Sequence, residues 1–139
     1  PFECDRIDIG VYSAGAVYTD ENISVTAFPN QHLAYQNRPS YSFLIESEGK
    51  RVIFTGDMSG CLQKNDFPTA AFEAENDLIV CEMAHFSPEH VMPYLEKCRA
   101  GKIAFTHVYP LEKYDAIREM NGKFPFQILT PEDGDEIQI

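Results

Sequence analysis

Apolar residues alternate with small polar ones through Ile23-Ser-Val-Thr-Ala-Phe28, the period of a half-buried strand, and the β-branched side chains favour the same assignment. Residues 41–46 and 51–55 read as two further strands joined through Ser47-Glu48-Gly49-Lys50, where Gly49 accepts the positive φ of a tight connection. This hairpin aims Asp57 outward. Asp77-Leu-Ile-Val-Cys-Glu82 is almost continuously apolar, as a strand covered on both faces should be, and is predicted to be central. The period then becomes helical. Ser87 reads as an N-cap and Pro88 as the first helical residue; Val91, Leu95 and Cys98 form a stripe, Lys97 and Arg99 complement the negative end, and Gly101 is the stop. A strand over 103–106 and a helix over 111–120, closed by Asn121-Gly122, follow. Two last strands, 126–130 and 136–139, are predicted on either side of the acidic turn Pro131-Glu-Asp-Gly-Asp135. Strands alternating with helices predict an α/β domain.

The length of 139 residues, 44% of them hydrophobic, suffices for one domain with a core of its own. A formal charge of -11 repels polyphosphate, so nucleic acid is not expected as a partner of this chain alone, and a small substrate or a metal fits better. Cys4, Cys61, Cys81 and Cys98 contain no C-x-x-C pair and read as buried free thiols. There is no apolar run of the roughly 20 residues that span a membrane and no secretory leader, which leads to the expectation of a cytoplasmic, reducing setting. The chain opens at Pro1 without an initiator Met and reads as part of a longer or processed product.

Three side chains carry the candidate chemistry. His32, Asp57 and His107 each follow a strand-like run, and loops at one edge of a sheet converge on a crevice. Imidazole nitrogen and carboxylate oxygen suit Zn²⁺, and also Mn²⁺ or Fe²⁺. Any one of them alone would more often cap backbone or face solvent; the ordered set of three carries the metal reading. His85, just beyond the Glu82 strand, is a candidate to face substrate or pass a proton, since imidazole titrates near neutrality. His90 reads as a solvated first-turn helix residue. Glu82 is placed either to fix the tautomer of a ligand histidine or as a plain strand-end carboxylate, and Tyr41 either to line a pocket or to pack in the core.

Gly49-Lys-Arg-Val-Ile-Phe-Thr-Gly-Asp57, Asp77-Leu-Ile-Val-Cys-Glu82 and Phe105-Thr-His107 resemble, in this order, blocks of the metallo-β-lactamase-fold hydrolases, in particular the branch of tRNA 3′-processing nucleases and phosphodiesterases. The resemblance implies the C-terminal half of a four-layer αββα fold over residues 1–139. It implies two Zn²⁺ ions per full-length site, with His32 on the first, Asp57 bridging and His107 on the second. It also implies hydrolysis of a small-molecule phosphodiester, thioester or related ester by metal-bound hydroxide, with Asp57 as a catalytic residue, and the loop position of His85 makes it the second catalytic candidate. The family's His-x-His-x-Asp-His signature is absent from this chain. The missing N-terminal half is therefore the expected partner, and the chain alone should bind metal weakly and be inactive. Two alternatives have distinct consequences: a non-catalytic assembly module that dimerises through a bare sheet face, or a di-iron redox relative of the fold.

Overall fold

Seven strands pair in chain order into one mixed sheet; the computed structural model describes residues 10–60, 62 and 66–139. The strands β1 (Gly15–Thr19), β2 (Ile23–Asn30), β3 (Ser40–Ser47) and β4 (Lys50–Phe54) are antiparallel neighbours. From β4 onward the pairing is parallel through β5 (Asn76–Met83), β6 (Ala100–Val108) and β7 (Gln127–Leu129). The parallel connections contain α1 (Ala70–Glu73), α2 (Pro88–Leu95) and α3 (Lys113–Glu119). Because β2 and β4 both run against β3, they share a direction with β5 and β6. The C-terminal ends of all four therefore reach the same edge of the sheet.

The register explains the core. Leu44, Ile53, Ile79, Ile103 and Ile128 form one row across β3 to β7. They join Ala70 and Ala71 of α1, Val91 and Leu95 of α2 and Ile117 of α3 in a single buried cluster. Each such side chain, fully buried, contributes about 1.5–3 kcal/mol. The neighbouring row, Phe43, Phe54, Val80, Ala104 and Leu129, points to the opposite face. Tyr12 packs there against Tyr41 and Phe43, with ring centroids 5.3 and 5.7 Å away, yet Phe54 stays 41% exposed.

The α/β expectation stands as a single seven-stranded sheet with helices. The hairpin closes through Glu48 and Gly49, both at positive φ (52° and 76°), the two-residue turn whose twist matches the strands. The 77–82 run lies inside the sheet between β4 and β6. Three expectations need correction. The 87–101 helix ends at Leu95, and Gly101 lies within β6. Pro93 withholds an amide there, and Arg99 is held between α1 and β5 by its N–H to Ala71 O and by the Asn76 N–H to its carbonyl, both 2.9 Å. No strand forms over 136–139: after a turn in which Asp135 accepts the Glu132 N–H at 2.9 Å, the chain passes Lys102, whose ammonium takes the Gln138 carbonyl at 2.6 Å. The last helix is shorter than 111–120, beginning at Lys113.

Besides a short 3-10 helix at Ala34–Gln36, one strand and one α-helix went unforeseen. β1 is joined to β2 by a turn in which Asp20 Oδ1 accepts the N–H of Asn22 (2.8 Å) and Ile23 (2.9 Å), and its carboxyl is held below the usual range first by the Tyr18 hydroxyl and then by those amides. The other is α1. Cys81 and Cys98 are buried free thiols whose pKa values burial raises, that of Cys98 to about 12; Cys4 and Cys61 lie outside the described residues. Among the described residues no helix is long and apolar enough to cross a membrane.

Candidate metal centre

His32 sits two residues past β2, in a turn built by buried Asn30. The Asn30 Oδ1 accepts the His32 N–H at 3.2 Å and the Ser40 hydroxyl at 2.5 Å, while its Nδ2 donates to Thr55 O at 3.3 Å. The imidazole Nδ1 lies 3.2 Å from Met58 O. A carbonyl only accepts, so Nδ1 carries the proton and Nε2 keeps its lone pair. That Nε2 is 3.9 Å from Asp57 Oδ2.

Asp57 is delivered by the turn after β4. Gly56 there has φ +58°, and a Cβ on it would come within 2.9 Å of the Tyr41 carbonyl. Only glycine fits, so Gly56→Ala is expected to cost about 3 kcal/mol in urea unfolding from strain and overlap together. The amides after Asp57 are each held by a buried carboxylate: Met58 N–H by Glu82 Oε1 at 2.9 Å and Ser59 N–H by Asp66 Oδ2 at 2.7 Å.

Glu82, 4% exposed near the end of β5, also accepts the N–H of Ala84 (2.6 Å) and His85 (3.1 Å) and lies 3.1 Å from His85 Nδ1. This fixes His85 as the Nδ1–H tautomer with Nε2 directed elsewhere. From α3, Lys113 Nζ donates to the carbonyls of Met83, Ala84 and Phe86 at 2.7–2.9 Å. Burial lowers its ammonium pKa, and the Glu82 charge opposes that shift.

His107 is an irregular residue of β6. Glu82 pairs with Thr106 and Met83 with Val108, which leaves His107 as a bulge with φ +48°. Bulges re-aim side chains, and His107 Nδ1 reaches Asp57 Oδ1 at 3.2 Å. His107→Asn should fold normally because Asn tolerates this conformation, whereas His107→Val should lose about 1–2 kcal/mol of stability. Both should lose metal affinity, measured by competition with a chelating dye.

The four side chains thus meet at one edge. The His85 ring centroid is 4.6 Å from that of His32 and 5.5 Å from that of His107. Ligand atoms of His32, Asp57 and His85 lie within 4.8 Å of one another, as do those of Glu82, His85 and His107. Each group offers three nitrogen or oxygen donors, a chemistry that fits zinc, manganese or ferrous iron and leaves a fourth position for water or another ligand. A cleft of about 550 Å³ opens beside them, lined by His32, Tyr35, Ser59, Gly60 and His85.

The sequence-derived set His32, Asp57 and His107 is brought together around Asp57, and His85 stands between the two imidazoles. His90 does not join them; its Nδ1 accepts the Ser87 N–H at 3.3 Å and caps α2. Tyr41 packs on Tyr12, and its carbonyl occupies the space that a Cβ on Gly56 would need. Asn30, Asp66 and Lys113 escaped sequence reasoning. They sit at a strand end, in a loop and at a helix start, where no periodicity separates a buried anchor from a surface polar residue.

No protein-family model matches the chain, and no curated protein is similar to it in sequence. Solved structures share its fold. The short form of human tRNase Z matches over 89% of this chain and 45% of its own, with TM-score 0.59 and 19% identity. The metallo-β-lactamase-fold protein YhfI from Bacillus subtilis matches over 91% and 54%, with TM-score 0.67 and 15% identity. Igni18, a metallo hydrolase from Ignicoccus hospitalis, matches over 93% and 59%, with TM-score 0.69 and 14% identity. The chain therefore has the architecture of about half of a metallo-β-lactamase-fold protein, over most of its own length and at low sequence identity.

Proposed function

We propose that this chain is the C-terminal half of an αββα metal-dependent hydrolase and supplies His32, Asp57 and His107 to a two-metal site that cleaves a phosphodiester or related ester. One observation carries the reading: four co-directional strands bring three imidazoles and a carboxylate to one edge. Zinc bound there would supply Lewis acidity and a water acidified toward neutral pH.

The chain's own residues do the rest. Met58 O and Glu82 hold the His32 and His85 rings with Nε2 free to act. Asp57, between His32 and His107, would be the carboxylate that helps hold the metal. His85 is the proton carrier: with its Nδ1–H held by the Glu82 carboxylate, its free Nε2 takes a proton from the attacking water and passes it to the departing oxygen. The cleft beside His32 and His85 would hold the leaving group.

The apolar row Phe43, Phe54 and Val80 supports a second sheet stacked on this one, contributed by an N-terminal half that brings the remaining ligands. The same face also favours a second reading, a module that dimerises without catalysis. The intact protein, purified and analysed for metal, separates them. Zinc-dependent cleavage of bis(4-nitrophenyl) phosphate supports the hydrolase; a metal-free, inactive protein that sediments as a dimer through this face supports the module.

A further inference from the structure

Asp66 takes no part in the reaction outlined above, yet it is 0% exposed and grips the His32 loop from two sides. Its Oδ1 accepts the N–H of Gln31, the residue before His32, at 2.7 Å. Its Oδ2 accepts the Ser59 N–H at 2.7 Å and the Ser59 hydroxyl at 2.5 Å. The Ser59 N–H belongs to the same peptide group as the Met58 carbonyl, and that carbonyl takes the His32 Nδ1–H at 3.2 Å.

We infer that Asp66 is the positioning residue of His32, holding its backbone through Gln31 and its ring through the Met58–Ser59 peptide. A carboxylate on a peptide N–H polarises the amide and makes its carbonyl a better acceptor. The carbonyl then favours the proton on Nδ1 and keeps the Nε2 lone pair toward Asp57, 3.9 Å away. Carboxylates that act through a backbone group in this way tune ligand orientation as those bonded directly to a histidine do. The inference rests on His32 being a metal ligand, but its mechanism can be read without metal.

Long-range ¹H–¹⁵N spectra of the intact, metal-free protein at about pH 8, where imidazole is neutral, test it. Wild-type His32 should carry its proton on Nδ1. Asp66→Asn keeps one acceptor oxygen and sets an NH₂ against the other donor. In that variant His32 should become a mixture of tautomers, zinc affinity should fall by about 10-fold, and the His85 tautomer should not change. An Asp66→Asn protein with wild-type His32 tautomer and zinc affinity would overturn the proposal, whatever its melting temperature. Should that variant fail to fold, the wild type decides: slow exchange of the Gln31 and Ser59 amides with Nδ1-protonated His32 supports the role, and Nε2-protonated His32 refutes it. Failure of the wild type to bind zinc would defeat the hydrolase reading alone, because the tautomer test would still stand.

Discussion

Glu82→Ala is expected to destabilise the protein by about 3 kcal/mol or more in urea unfolding and to broaden the NMR signals of residues 83–86. The carboxylate satisfies three backbone amides and a ring nitrogen from the Met58 and His85 loops. Truncation leaves those donors without an acceptor, the Met58 N–H buried and the other three part-buried, at about 1–3 kcal/mol for each group that water does not reach. Lys113 still holds the carbonyls of the same loop, so the loop should loosen while the sheet stays paired. Glu82→Gln, which retains one acceptor oxygen, should lose less stability and leave His85 free to adopt either tautomer.

Asp57→Ala should give the opposite profile. The side chain is 45% exposed, and its partners among the described residues are the His32 and His107 rings, so stability should stay within about 0.5 kcal/mol of wild type. Zinc affinity of the intact protein, followed by competition with a chelating dye, should fall by more than about 100-fold, beyond the loss typical for a residue that only supports a ligand. A comparable loss of folding stability would mean that Asp57 acts as a turn residue. The contrast between the two variants separates the carboxylate that builds the edge from the one that faces it.

The strands of the sheet's middle were legible because burial on one or two faces imprints period-2 or continuous apolar runs, as over 23–28, 51–55 and 77–82. The juxtaposition of the candidate residues was legible for a related reason: His32, Asp57 and His107 stand just after strand-like runs or at their end, the last after 103–106, and the ends of co-directional strands converge. Less was legible where tertiary contacts overrule local preference. Gly101 reads as a helix stop, but the pairing of Ala100 with Asn76 takes it into β6. The 136–139 segment alternates like a strand, yet it forms none and accepts the Lys102 ammonium at the Gln138 carbonyl. The positive φ of His107 arises from the unequal pairing of β5 with β6 and leaves no mark in composition. Asp66 likewise reads as an ordinary loop acid, because only the meeting of two distant loops buries it.

One sheet edge gathers His32, Asp57, His85 and His107, and a cation is expected among them. Anomalous diffraction at the zinc edge, from crystals of the intact protein grown with zinc, tests it most directly. The account predicts a peak about 2.0–2.2 Å from a His32 nitrogen and an Asp57 oxygen, with His107 or His85 beside it. A protein that binds no zinc, or binds it only away from this edge, would contradict it.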